Sequence, residues 1–218
     1  MTSRKSFINH ALRVLIAAVA LVNVPSVVRA QLTAASAFTD APQAVFPLLD
    51  RNTRLDMIDY FNNGMTTQSA NLLNGKSRVT SISPMKVELE MTDASTYEIA
   101  LLPAKSDTLV AVISTVATPA PDSRLTVYSR DFATHGNAAF VRPDVKDWLT
   151  PEGKKNSAQV DMLVPFMLVS YSYDPDSRTL TLTNNTGSFM SADLYEIVKP
   201  YLLSSLTYQW DGSKFSRK

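Results

Sequence analysis

Residues 86–132, KVELEMTDASTYEIALLPAKSDTLVAVISTVATPAPDSRLTVYSRDF, contain the apolar segments that decide the fold. The segments are residues 86–91, 96–102, 108–118 and 124–132. The first, second and fourth alternate apolar and polar residues, as strands with one buried face do. The third is apolar on both faces, so we expect a central strand that is covered on both sides. The stretch therefore predicts a four-stranded antiparallel meander.

Two helices are predicted before the meander. Residues 42–50 are a short candidate, since Pro42 suits the first turn of a helix. Residues 53–63 are a longer candidate, because Asn52 can cap the amino end. Gly64 stands where a left-handed residue commonly ends a helix.

Strand and helix patterns recur after the meander. Residues 162–173 are apolar on both faces and residues 178–184 alternate, so both are predicted strands. Residues 191–203 are predicted to form a helix that is interrupted at Pro200. Residues 206–215 are predicted to form a closing hairpin, because their Asp-Gly pair is a strong turn signal.

These elements predict an α+β domain over residues 42–218, with antiparallel meander sheets packed against a few helices. Two halves, residues 42–132 and 144–218, each combine helices with a sheet. They are consistent with a pseudo-repeat, but the positions of their helices do not match, so a single domain and two halves both stay open. Residues 31–41 are small and polar and are predicted to be a flexible lead-in.

The tetrad Pro-Asp-Ser-Arg occurs twice, at residues 121–124 and 175–178. Proline presets φ for a first turn position, and Asp and Ser bond back to nearby backbone. We therefore predict two hairpin turns, with Arg124 and Arg178 at the starts of the outgoing strands. The alternative is a shared anion site, which would require the two arginines to converge in space.

Residues 1–30 have the pattern of a secretory signal peptide. Basic residues precede an apolar run at residues 14–22, which is too short to span a bilayer comfortably. Ala30 is the predicted cleavage site. We therefore expect an exported protein, periplasmic or extracellular, with no stable membrane insertion after cleavage.

The composition argues against several classes of function. Of 21 Lys and Arg residues, four lie within residues 1–30, which leaves 17 basic and 20 acidic residues and a net charge of −3. A nucleic-acid-binding protein would show a clustered basic surface, so no nucleic-acid partner is expected. The chain has no cysteine, which excludes thiol catalysis and a cysteine-ligated zinc site.

Few residues are suited to catalysis. His135 is the one histidine after residue 30, so a Ser-His-Asp triad would have to use it. Asp56 and Asp59 share one helix face and could form a carboxylate pair or part of a metal site, although a solvated face is favoured. A carboxylate-dependent hydrolase could also use Asp161 and Glu196. No catalytic, cofactor-binding or metal site is predicted.

Exposed aromatic side chains would indicate a carbohydrate-binding module. Trp148, Tyr208 and Trp210 are the candidates. Tyr208 and Trp210 alternate with Leu206 along a predicted strand, so core packing is favoured for both. Trp148 is expected to pack beneath the connecting loop.

Three segments, in the same order along the chain, resemble a family of secreted Bacteroidales proteins catalogued as a domain of unknown function, family 3256. The segments are RLDMIDYFNNGM (54–65), PDSRLTVYSRDF (121–132) and LTYQWDGSKF (206–215). The resemblance covers about residues 40–215 and implies a bacterial exported or cell-envelope protein, without any catalytic or ligand residue. The layout is also similar to periplasmic inhibitor-like and PepSY-like domains, which is a likeness of fold only.

The sequence thus favours an exported, non-enzymatic binding or interaction module. Its expected partner is an unidentified protein or glycan of the cell envelope, and no cofactor is expected. A carboxylate-dependent hydrolase and a carbohydrate-binding module are the alternatives.

Overall fold

Helices and two sheets stack in layers in the computed structural model, which describes residues 31–133 and 138–218. Helices α1 (Ala34–Asp40) and α2 (Arg51–Asn62) form one outer layer. A six-stranded sheet is the middle layer, and a four-stranded sheet with its own helices is the other outer layer. Residues 32–218 belong to a single compact unit. The predicted α+β class is confirmed.

The six-stranded sheet is an antiparallel meander in which each strand pairs with the next one along the chain. Its strands are β1 (Ser69–Ala70), β2 (Lys76–Ile82), β3 (Lys86–Thr92), β4 (Ser95–Pro103), β5 (Thr108–Val116) and β6 (Asp122–Tyr128). The meander predicted over residues 86–132 is confirmed, and β1 and β2 extend it. β5 is buried on both faces, because α1 and α2 cover one face and the second sheet covers the other.

The second sheet has the order β10-β9-β8-β7 and is also antiparallel. Its strands are β7 (Val169–Asp174), β8 (Thr179–Asn184), β9 (Ser205–Trp210) and β10 (Phe215–Arg217). The hairpin between β9 and β10 is confirmed, with Gly212 at a φ of 96°. The halves predicted at residues 42–132 and 144–218 each supply one sheet, but the sheets differ in strand number. A repeat relation between them stays a prediction.

Two hydrophobic cores fill the spaces between the layers. Phe38 and Phe46 are fully buried in the core beneath α1 and α2. Trp148, Tyr173 and Trp210 are buried in the core between the two sheets. Burial of one large apolar side chain contributes about 1.5–3 kcal/mol relative to its exposure, so these cores are the main source of stability.

Helix α2 begins and ends close to its predicted bounds. Its amino end is capped by Asp50, whose carboxylate accepts the Thr53 N–H at 2.7 Å, and not by Asn52 as predicted. Its carboxyl end is followed by Gly64 at a φ of 65°, as the left-handed position requires.

Two predictions near the start of the domain were wrong. Residues 31–41 are not a flexible lead-in, because Thr33 and Ser36 form a capping box that starts α1. Residues 42–50 form turns instead of a helix. Pro47 lies inside this segment and cannot donate a helical hydrogen bond.

The prediction of a strand at residues 162–173 was wrong for the first half of this segment. Helices α3 (Pro151–Lys155) and α4 (Ser157–Leu163) occupy the chain before it, and β7 starts only at residue 169. Pro165 explains the break, since the residue before a proline avoids helical geometry and a proline cannot donate to a sheet. The helix predicted at residues 191–203 is confirmed as α5 (Ala192–Val198), and a 3-10 turn at Pro200 follows it.

Candidate binding groove at strand β6

The two Pro-Asp-Ser-Arg tetrads lie in different structures. Residues 175–178 form the turn between β7 and β8, as predicted, with Arg178 at a φ of 54°. Residues 121–124 do not form a turn, because the chain reverses earlier and Asp122 already starts β6. The prediction was therefore right for the second tetrad and wrong for the first.

Asp122 and Ser123 start β6 because their side chains bind the backbone of β7. Together with Glu98 on β4 they form what we call the inter-sheet clamp. Its bonds join Val169 N to Asp122 Oδ1 at 2.9 Å, Tyr171 N to Ser123 Oγ at 2.9 Å, and Tyr173 N to Glu98 Oε2 at 3.2 Å. The outward amides of β7, an edge strand, thus bond to side chains of the other sheet.

Charged neighbours hold the clamp in place. Arg142 donates to Asp122 Oδ1 at 2.6 Å and to the Ser123 carbonyl at 3.0 Å. Lys86 Nζ lies 3.6 Å from Glu98 Oε2. Burial raises the pKa of Glu98, while Lys86 and the Tyr173 N–H act in the opposite direction.

At the β6 edge of the first sheet, no further strand pairs within the described residues. β6 is the last strand of its sheet, and its register with β5 is regular throughout. The Ser123 carbonyl points away from β5, because it accepts from Arg142. Successive residues of an antiparallel strand alternate in direction, so the N–H and C=O groups of Leu125 and Val127 also point away from β5. Leu125 is partly exposed, whereas Val127 has only 4% of its surface exposed. Within the described residues no hydrogen bond to these four groups is found.

The other sheet edges do not offer comparable backbone. β1 is two residues long and β10 is three residues long. β7 is capped by the inter-sheet clamp. An edge strand of this length that no described strand or clamp covers is uncommon, since proteins usually blunt such edges to avoid unwanted pairing.

Two cavities flank the open edge, and we call them together with residues 124–127 the β6 groove. The larger has a volume of about 720 Å³ and the smaller about 290 Å³. Ser114, Arg124, Leu125 and Phe140 line both, so the cavities follow one another along the strand. Their volumes suit small ligands or individual side chains of a bound chain.

Aromatic side chains give the larger cavity a fixed apolar wall. Phe140 packs edge-on against Tyr171 and Tyr208, with ring centroids 5.6 Å apart in both pairs. Burial raises the pKa of Tyr171 to about 12, so its phenol stays neutral at physiological pH.

The β6 groove has one positive charge without a counter-charge. Arg142 and Asp122 form an ion pair and neutralise each other. Arg124 is exposed and forms no ion pair with any residue in the part of the chain that the structure describes. Arg178 does not line either cavity, so the tetrads do not supply two arginines to the groove.

The predicted carboxylate candidates lie outside the groove. Asp56 and Asp59 are exposed on α2, Asp161 is exposed on α4, and Glu196 on α5 is exposed and contacts Lys199. Residues 31–133 and 138–218 contain no group of three or more acidic or histidine side chains that could hold a metal ion.

The candidate aromatic residues are in the core, as favoured. Trp148, Tyr208 and Trp210 have 0%, 9% and 2% of their surface exposed. Trp210 Nε1 donates to the Pro103 carbonyl at 2.7 Å. These three side chains therefore do not form a platform for a sugar ring.

Ala30 and His135 lie outside the described residues, so their predicted roles stay predictions. No helix within the described ranges is long and apolar enough to cross a membrane.

Sequence reasoning missed Glu98, Phe140 and Arg142. Glu98 had a detectable signal, because Ala100 and Leu102 on the same face of β4 are apolar and indicate that this face is buried too. Phe140 and Arg142 lie outside the helices and strands. No repeating pattern of apolar residues there predicts that they contact the sheet.

The fold is thus an α+β domain of two antiparallel sheets, with a groove at one open edge. The chain belongs to the family described as Protein of unknown function (DUF3256), whose model matches residues 26–215. A domain of an uncharacterised protein from Porphyromonas gingivalis W83 has a similar structure, with a TM-score of 0.70 and 19% sequence identity over 84% of this chain and 97% of that chain. At that identity the likeness shows the fold alone. None of the curated proteins matches the chain.

Proposed function

We propose that the protein is an exported, non-enzymatic interaction module of the Bacteroidales cell envelope, and that it binds an extended segment of a partner protein along β6. The N–H and C=O groups of Leu125, which point away from β5 and bond to no residue that the structure describes, carry this proposal. An added strand can bond to such groups, while pockets for alternate side chains provide selectivity.

The chemistry of the groove supports binding over catalysis. Its one acidic side chain, Asp122, is held by Arg142 and by the Val169 N–H, so it is not available as a general base. The Tyr171 phenol is held neutral by burial. The hydroxyls that line the groove share it with no histidine and no carboxylate other than Asp122 among the described residues, so no base is placed to activate them there.

Export rests on the leader pattern of residues 1–30, with cleavage after Ala30. A binding role would also accord with the similarity to periplasmic inhibitor-like and PepSY-like domains that the sequence layout suggests. A glycan partner is less favoured, because the candidate aromatic residues are buried.

Site-specific photo-crosslinking tests the proposal. A benzophenone amino acid replaces Thr126, which lines the smaller cavity, or Thr181, which is exposed on β8 and serves as the matched control. In intact envelope fractions we expect a protein adduct from position 126 alone, mapped by mass spectrometry to one extended segment. Equal adducts at both positions, or a glycan adduct at position 126, would contradict the proposal.

A further inference from the structure

We infer that the segment bound in the β6 groove alternates apolar and acidic residues, an inference that rests on the edge-binding mode proposed above. Side chains of an added strand point alternately to the two faces of the sheet. The two faces of β6 differ in chemistry, so they select different residues at alternate positions.

One face of β6 is apolar. Leu125 and Val127 point towards the core between the sheets. Phe140 and Tyr171 extend this face beyond the strand edge, where they line the larger cavity. In a strand that pairs with β6, every second side chain would point to this face and contact these side chains. Val, Ile or Leu is therefore favoured at those positions of the bound segment.

The other face carries the exposed, positively charged Arg124, and Val112, which pairs with Thr126, lies further along it. Arg124 lies directly opposite Ser114 of β5, and Thr126 is the next residue on this face. No carboxylate within the described residues forms an ion pair with Arg124. Cross-strand pairs of opposite charge are stabilising and those of like charge are destabilising, so the residue next to Arg124 is expected to be Asp or Glu.

A second copy of the chain is a poorer occupant for the same reason. If two copies paired through β6, each would bring its own Arg124 to the shared interface. Like charges on neighbouring strands disfavour this arrangement.

The test uses the processed chain, residues 31–218, and two capped nine-residue peptides followed by amide NMR. In one peptide valine alternates with glutamate, and in the matched control valine alternates with lysine. We expect the glutamate peptide to shift the Leu125 and Val127 amides and to bind about tenfold more tightly than the lysine peptide. Arg124→Glu is expected to reverse this preference, and Arg178→Glu to leave it unchanged.

Backbone pairing is tested on the peptide itself. Two versions of the peptide are methylated at every second backbone nitrogen, one at the odd and one at the even positions. Only one of these two sets of amides faces β6, so one version should lose binding and the other should keep it. If both peptides shift the β6 amides with equal affinity, the acidic preference is wrong and edge binding stands. If neither peptide shifts them, or if β6 pairs with a second copy, edge binding of a partner is wrong as well.

Discussion

The tetrad at residues 175–178 makes side-chain contacts within its own turn, whereas the tetrad at residues 121–124 bonds to residues far along the chain. Ser177 Oγ donates to Asp174, three residues away. Asp122 and Ser123 instead accept from amides 47 and 48 residues distant. The same four residues thus close a hairpin in one place and join two sheets in the other. The tetrad at residues 121–124 caps the edge of β7, which stabilises the contact between the two sheets. It also extends into β6, the strand along which a partner segment is proposed to bind.

The largest expected difference between the tetrads concerns their aspartates. Asp122→Ala removes an ion pair with Arg142 and the acceptor of the Val169 N–H, so we expect a loss of about 2 kcal/mol in the free energy of unfolding. Asp176→Ala, the matched change in the exposed turn, is expected to cost less than about 0.5 kcal/mol. Urea unfolding measures both values. Equal costs would mean that the inter-sheet clamp does not stabilise the protein.

Glycine substitutions should act with opposite signs at the two arginines. Arg178 has a φ of 54°, where glycine avoids the cost that other residues incur, so Arg178→Gly should stabilise by up to about 1 kcal/mol. Arg124 lies within a strand, and Arg124→Gly should destabilise by about 0.5–1 kcal/mol. Thermal unfolding of both variants tests this difference, and a loss of stability in Arg178→Gly would contradict the turn geometry.

The smallest expected effect is in pH dependence, where the two regions should differ in sign. Burial raises the pKa of Glu98 above 4.5, so the stability that this group contributes falls as the pH rises from 4.5 through its folded value. Bonds from Ser177 and from the Asp176 N–H lower the pKa of Asp174 below 3.8, so its contribution is lost as the pH falls through the folded value.

Urea unfolding of the wild type, Glu98→Gln and Asp174→Asn between about pH 3 and 7 measures the free energy of unfolding of each. The difference between the wild type and each variant gives the pH dependence that the replaced carboxyl group contributes. The stability of the wild type relative to Glu98→Gln should decrease with rising pH, and that relative to Asp174→Asn should increase. The same sign for both variants would show that the assigned environments are wrong.

The sequence predicted those elements whose causes are local. Alternating residues predicted the meander, Gly64 predicted the end of α2, and the Asp-Gly pair predicted the last hairpin. Each of these signals depends on a few neighbouring residues, so one sequence is sufficient to detect it.

Elements that depend on distant contacts were not predicted. The tetrad at residues 121–124 has the composition of a turn, but the amides of β7 hold it in a strand. The capping box of α1 was overlooked because small residues around it suggested a lead-in. The β6 groove combines β5, β6 and the irregular chain at Phe140 and Arg142, and no local pattern relates these parts.

Hydrogen exchange of individual amides, followed by NMR in the unliganded protein, tests most directly the claim that the edge of β7 is closed and that of β6 is open. We expect slow exchange at Val169, Tyr171 and Tyr173, whose amides bond to the inter-sheet clamp, and fast exchange at Leu125, which is partly exposed. Protection of Leu125 as strong as that of the three β7 amides would contradict this claim.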